Sequence, residues 1–256
     1  MYYRGIIDTH AHYDDEIFAD RIDEVLRQQR ENGIAAIIEN ASDMPSSERS
    51  TAMAAKYSDF IWGAVGVHPQ AADSLPEGWL ARIAELAKAP RIVAIGEIGL
   101  DYYYPTPTRE SQKLVFEQQL QLARELDMPI QVHDRDAHGD VLEYLKKYRP
   151  AGCVHRFSGS VEMAKEVVKL GMVLGIGGAL TYKNAKKERE VVQAVSLEDI
   201  ILETDCPYLA PQQYRGKPST SDMLSPVVEL IAELKGVSPE QVVEVTSATA
   251  RRVFRF

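Results

Sequence analysis

The sequence predicts an α/β fold, a (β/α)8 TIM barrel, and two observations carry that expectation. Short apolar runs rich in Ile and Val alternate with segments of helical period along the 256 residues, as βα units around a parallel sheet do. Residue types that ligate metals recur where those runs end.

Eight runs read as strands: near Arg4 to Asp8, Ile34 to Glu39, Phe60 to Val67, Arg91 to Ile95, Ile130 to Val132, Gly152 to Val154, Met172 to Ile176, and Ile200 to Glu203. Most are continuously apolar, as strands covered on both faces are. Between them Val115, Leu122 and Leu126 share one helical face, and Met163, Val167 and Leu170 another. Asn32-Gly33 and Lys235-Gly236 place Gly where a helix end turns left-handed. Ser238-Pro239-Glu240-Gln241 reads as a capping box with Pro at the first helical position. No repeat or Pro/Gly/Ser-rich linker interrupts the pattern, so one domain over residues 1–256 is expected.

Periodicity does not choose between a closed barrel and an open doubly wound sheet. The polar residues favour the barrel. His10 and His12 follow the first run, His68 the third, Glu97 the fourth, His133 the fifth, His155 the sixth and Asp205 the eighth. In an open sheet these positions form a line, whereas in a barrel they converge on one pocket able to hold divalent ions. A strand's period of two sends His10 and His12 to the same side. Five of the six histidines fall in this set, and His138 reads as a helix start. Glu97 sits in the apolar stretch Ala94-Ile95-Gly96-Glu97-Ile98-Gly99, where a carboxylate is costly unless paired or bound to metal. Asp205 is the candidate to bind metal and to accept a proton from attacking water.

A formal net charge of −9 argues against a broad electrostatic footprint on duplex nucleic acid, although metals reverse the field inside a carboxylate-lined pocket. No window approaches the roughly 18 apolar residues of a membrane span, and the start lacks the apolar core of a secretory signal. A cytoplasmic protein that does not engage membranes is expected, with oligomeric state open and a monomer sufficient. The two cysteines, Cys153 and Cys206, fall short of a disulfide framework. Cys153 reads as a small buried thiol, and Cys206, beside Asp205, as a possible site of oxidation.

The chain resembles the TatD deoxyribonuclease family at specific residues. These are Asp8-Thr9-His10-Ala11-His12, Gly66-Val67-His68-Pro69, Gly96-Glu97-Ile98-Gly99-Leu100-Asp101-Tyr102, His133-Asp134-Arg135-Asp136-Ala137, His155-Arg156-Phe157-Ser158-Gly159 and Glu203-Thr204-Asp205-Cys206-Pro207. The resemblance implies a barrel of the metal-dependent hydrolase type, in the amidohydrolase superfamily, that cleaves phosphodiester bonds, typically from the 3′ end of DNA. It implies two divalent metal ions (Mg2+, Mn2+ or Zn2+), one on His10, His12, Glu97 and Asp205 and one on Glu97, His133 and His155, with Glu97 bridging. His68 and Arg135 match positions near the scissile phosphate. The plainer alternatives are that His68 only supports a ligand and that Arg135 pairs with Asp136 or Glu203.

Two departures stand out. Arg156 occupies a position where the family usually has Cys or another small residue, and Gly216-Lys217-Pro218-Ser219-Thr220-Ser221 stands where the family has Gly-Lys-Pro/Arg-Asn-Glu-Pro, in a loop after the eighth run expected to border the pocket. That loop weakens DNA as the expected substrate more than it weakens the metal site. An amide, ester or lactone hydrolase on the same metals is the nearest alternative, and a non-catalytic metal- or nucleic-acid-binding module a more distant one. Tyr102, Tyr103 and Tyr104 suit either stacking on unpaired bases or packing on the barrel rim.

Overall fold

The protein is described by a computed structural model covering residues 2–256. Its strands are β1 (Ile6–Ala11), β2 (Ile34–Asn40), β3 (Ile61–Val65), β4 (Ile92–Asp101), β5 (Ile130–Arg135), β6 (Gly152–Val154), β7 (Val173–Ile176) and β8 (Ile200–Leu202). Each pairs in parallel with the next, in sequence order. The helices are α1 (Ile22–Glu31), α2 (Met44–Lys56), α3 (Trp79–Leu86), α4 (Arg109–Glu125), α5 (His138–Tyr148), α6 (Val161–Lys169), α7 (Lys186–Ala194), α8 (Ser225–Lys235) and α9 (Pro239–Phe254).

The ring closes where β8 runs out. Asp205 donates its backbone N–H to the His10 carbonyl (2.8 Å), and His12 donates to the Cys206 carbonyl (2.9 Å). Side chains reinforce the seam: Thr9 Oγ1 donates to the Leu202 carbonyl (2.9 Å), while Asp8 accepts from the Thr204 backbone (2.9 Å) and hydroxyl (2.6 Å). The expected barrel is therefore the fold.

Strand parity separates two cores. Ile6, Ile37, Ile61, Val132, Leu174 and Leu202 face outward and join the large cluster under the helices. Ile7, Ala36, Ile38, Ala64, Ala94, Cys153, Val173 and Ile201 face inward and form a smaller cluster, closed from below by Ala250, Val253 and Phe254 of α9. A mixture of Ala and Cys with Val and Ile suits the narrow interior, which side chains fill.

The strand ends differ from the sequence reading. β1, β4 and β5 extend beyond the expected Asp8, Ile95 and Val132, so His10, Glu97 and His133 lie inside strands rather than after them. In β4, Gly96 and Gly99 resemble terminators but are required by close approach. A Cβ on Gly99, whose φ is +151°, would meet the His133 carbonyl oxygen at 2.0 Å. The helix signals fare well: α1 ends before Asn32-Gly33, and Gly236 caps α8 in the left-handed conformation. At α9, Ser238 accepts from the Gln241 N–H, so the serine half of the expected capping box forms.

Phe254→Ala removes a fully buried ring from the plug beneath the barrel. It is expected to cost about 3–5 kcal/mol and to lower Tm by roughly 10 °C, while metal content stays unchanged because the plug lies at the opposite end from His10. Calorimetry with elemental analysis reads both.

Candidate metal centre

The residues singled out by sequence converge on the C-terminal mouth of the barrel. Glu97 lies at their centre, buried, with its two oxygens facing different partners. Oε2 is 3.3 Å from His10 Nε2 and 3.9 Å from His12 Nε2. Oε1 is 2.7 Å from His133 Nδ1, 3.6 Å from His155 Nε2 and 3.9 Å from His68 Nε2. Asp205 Oδ1 lies 3.4 Å from His12 Nε2 and 3.8 Å from both His10 and His155 Nε2.

Three sets of side chains are close enough to hold an ion: His10, His12 and Asp205; His68, Glu97 and His133; and His10, His155 and Glu203. His155 stands between the first two sets, stacked on His10 at 3.5 Å between ring centroids and 6.4 Å from His133. The donors are imidazole nitrogens and carboxylate oxygens converging from several strands, a chemistry suited to divalent transition metals. Residues and metal therefore fit.

The electrostatics follow from burial. Burial alone would raise the Glu97 carboxyl, but the charges of His155, His10 and His68 hold it well below the usual range. Burial also opposes the charge on Asp205, and His155, the His12 hydrogen bond and Arg156 overcome it, so this carboxyl too is lowered. His12, despite burial, is pushed up to about 10 by Asp205 and Glu97. His133, likewise against burial, is pushed up to about 9 by Asp101 and Glu97. Burial lowers His155 to about 4 and His68 to about 3, the latter with help from the charge on His133.

Several orienting residues escaped the sequence reading. Gln131 Oε1 lies 3.1 Å from His10 Nδ1, and the Asn40 carbonyl 2.9 Å from His12 Nδ1. Asp101 Oδ2 is 3.3 Å from His133 Nε2. Such outer partners fix which ring nitrogen faces the centre. The signal for Gln131 was its place two residues before His133 on an apolar strand. No comparable signal marked Asn40, whose contribution is a backbone carbonyl.

Other expectations resolve differently. His68 Nδ1 accepts from the Gln70 N–H (3.2 Å), capping a turn, while Nε2 faces Glu97. Arg135 pairs with neither Asp136 nor Glu203; its guanidinium lies over Tyr103, 3.9 Å from the ring centroid. Tyr102 packs, bonding Asp140 and sitting under Arg109, but Tyr103 and Tyr104 are 58% and 45% exposed. The loop at Ser219-Thr220-Ser221 does not border the pocket. Ser219 and Ser221 are buried behind β1, where the Ser221 hydroxyl donates to Asp8 Oδ2 (2.6 Å) and its N–H to the Tyr13 hydroxyl (3.0 Å). Its chemistry supports the seam rather than the substrate. Cys153 and Cys206 are both buried, and burial raises both thiols well above their ordinary value, so the environment of Cys206 does not favour the reactive thiolate.

The sequence model of the family described as TatD related DNase matches residues 7–255. The chain belongs to the TatD family. The hydrolase YabD of Bacillus subtilis, named an uncharacterized metal-dependent hydrolase, is 39% identical over 98% of this chain and 99% of its own. A TatD protein of Erwinia billingiae, named a 3′-5′ ssDNA/RNA exonuclease, is 32% identical over 93% and 94%. The crystal structure of YjjV, a TatD homologue of Escherichia coli, superposes with a TM-score of 0.93 at 29% identity, covering 98% of each chain. The protein is thus a metal-dependent hydrolase of the TatD family. Among the described residues, no helix is long and apolar enough to cross a membrane.

Because Glu97 faces both flanking sets, Glu97→Ala is expected to empty both, whereas Gln131→Ala should weaken binding about 10–100-fold through misorientation of His10. Metal per chain after dialysis against graded chelator checks both. Wild-type metal retention by Glu97→Ala would remove Glu97 from the centre.

Proposed function

We propose that the protein is a 3′–5′ exonuclease that hydrolyses phosphodiester bonds of single-stranded DNA with two divalent ions. The observation that carries the reading is the division of Glu97, with one oxygen toward His10 and His12 and the other toward His133, His155 and His68. A carboxylate so placed suits two ions rather than one. The exonuclease name of the Erwinia relative supports the substrate, as do two exposed tyrosines joined to Arg135 at the rim, since aromatic platforms stack on bases of any sequence.

Divalent ions bound by these residues would lower the pKa of water toward about 7 and offset phosphate charge. Asp205 Oδ1, directed at the centre, accepts the proton of the attacking water. Oδ2 takes no part in that transfer, being held by the Arg156 guanidinium at 3.1 Å. Water adds to phosphorus, the bond to a sugar oxygen breaks, and the proton held on Asp205 passes to that leaving oxygen. Arg135, stacked on Tyr103, places a permanent cation beside the base platform.

One observation favours an uncharged ester or lactone instead. Beside His12 a recess of about 340 Å3 is lined by Asp14, Asp15, Glu16 and Asp43, which outnumber its cationic residues Arg49 and His12. A polyanion is repelled from that side.

Single-stranded DNA labelled at either end, digested by protein loaded with Mg2+, Mn2+ or Zn2+, tests the proposal. Stepwise loss from the 3′ end is expected, with Asp205→Asn retaining most of its metal but about 10²–10⁴-fold slower. Intact DNA under every metal, with turnover of uncharged esters, would transfer the assignment to the second reading. A fully active Asp205→Asn would remove Asp205 as the proton acceptor.

A further inference from the structure

Arg156 follows His155 directly, yet it belongs to none of the groupings that face Glu97. Its backbone is left-handed, with φ at +44°, and its N–H is anchored on Glu203 Oε1 at 2.5 Å. The side chain is 40% exposed at the mouth of the barrel. It lines a recess of about 130 Å3 whose walls are Phe157, Gly177, Gly178, Leu180 and Leu209, with Glu188 as the other charged residue besides buried Glu203. Its one side-chain hydrogen bond among the described residues runs from Nη1 to Asp205 Oδ2, at 3.1 Å.

That single bond explains little of the arrangement. A guanidinium carries five N–H donors in a planar fork, so most of its capacity faces the recess and solvent. Asp205 has other partners as well, because His12, His10 and His155 surround its other oxygen. The fork matches the oxygens of a phosphoryl group better than any other side chain does, and it stands beside the carboxylate that the substrate must reach. The mainly apolar and backbone walls of the recess offer few competing donors.

Resting on the phosphodiesterase reading, we propose that Arg156 is a specificity residue whose free donors bind the non-bridging oxygens of the substrate phosphoryl group, selecting anionic esters over neutral ones. Two variants separate this role from support of Asp205. Arg156→Lys keeps the charge without the fork, and Arg156→Gln keeps a donor for Asp205 Oδ2 without the charge.

The experiment is calorimetric titration of inorganic phosphate into Mn2+-loaded protein, alongside metal content. Kinetics on bis(p-nitrophenyl) phosphate and on neutral p-nitrophenyl acetate run in parallel. Arg156→Gln and Arg156→Ala are expected to bind phosphate on the order of tenfold or more weakly, with Arg156→Lys intermediate and metal content unchanged. The kinetic loss should fall on the phosphodiester, mainly in KM, and spare the acetate. Unchanged phosphate affinity in Arg156→Gln overturns the proposal, as does equal loss on both esters or a fall in metal content, either of which makes Arg156 a support for Asp205. If wild-type protein cleaves no phosphodiester, the exonuclease reading fails, and the phosphate titration still decides the role of Arg156.

Discussion

The seam between β8 and β1 is the constraint on which the rest of the molecule depends. With strands ordered β1 to β8, the first and last would lie farthest apart in an open sheet, and His10 and His12 would never meet Asp205. Two backbone hydrogen bonds, from Asp205 to His10 and from His12 to Cys206, make them neighbours. The residues that close the ring are thus the ones that face or adjoin the candidate centre. Asp8 holds the seam from behind, accepting from Thr204, Ser221 and the His10 N–H while buried. Burial pushes its carboxyl up to about 6 even against those donors, so the seam carries an electrostatic strain that its hydroxyl partners relieve only in part.

Closure also confines charge. Once the strand ends converge, Glu97 and Asp205 share a desolvated pocket with five imidazoles, and like-charged groups separate into distinct protonation states. His12 and His133 favour the proton against burial because each hydrogen-bonds carboxylate, His12 to Asp205 and His133 to Asp101 and Glu97, while burial prevails at His155 and His68. The interior is therefore arranged to hold positive charge between its carboxylates. Metal binding to such a site competes with protons for the same nitrogens.

Much of this was legible in the sequence because it rests on local signals. Apolar runs located all eight strands, and histidines at their ends located the mouth. The length of β4 was not legible: the apolar run is read as ending at Ile95, and the approach of Gln131 to Gly96 and of the His133 backbone to Gly99 shows why glycines continue the strand. Gln131, Asn40 and Asp101 orient imidazoles across the ring, a property of neighbouring strands that no single strand displays. Ser219 and Ser221 were misplaced for a related reason. Their distance along the chain from Asp205 suggested the pocket, but the chain folds back to bond Asp8 and Tyr13 behind β1.

The net charge of −9 is consistent with an anionic substrate once the charges are located. Asp14, Asp15, Glu16 and Asp43 gather on the His12 side. Arg156 stands beside Asp205, and Arg135 beyond His133 on β5. Potential falls off over roughly 10 Å in physiological salt, so an approaching phosphate responds to these few side chains rather than to the total. The acidic recess closes one direction to a polyanion, and the arginines mark the other. On the proposed exonuclease reading, a strand entering past Tyr103 and Tyr104 would meet Arg135 before the centre, and its phosphoryl group would meet Arg156 beside Asp205. On that reading, the asymmetry between the acidic recess and the arginines gives a single-stranded end one favourable way in.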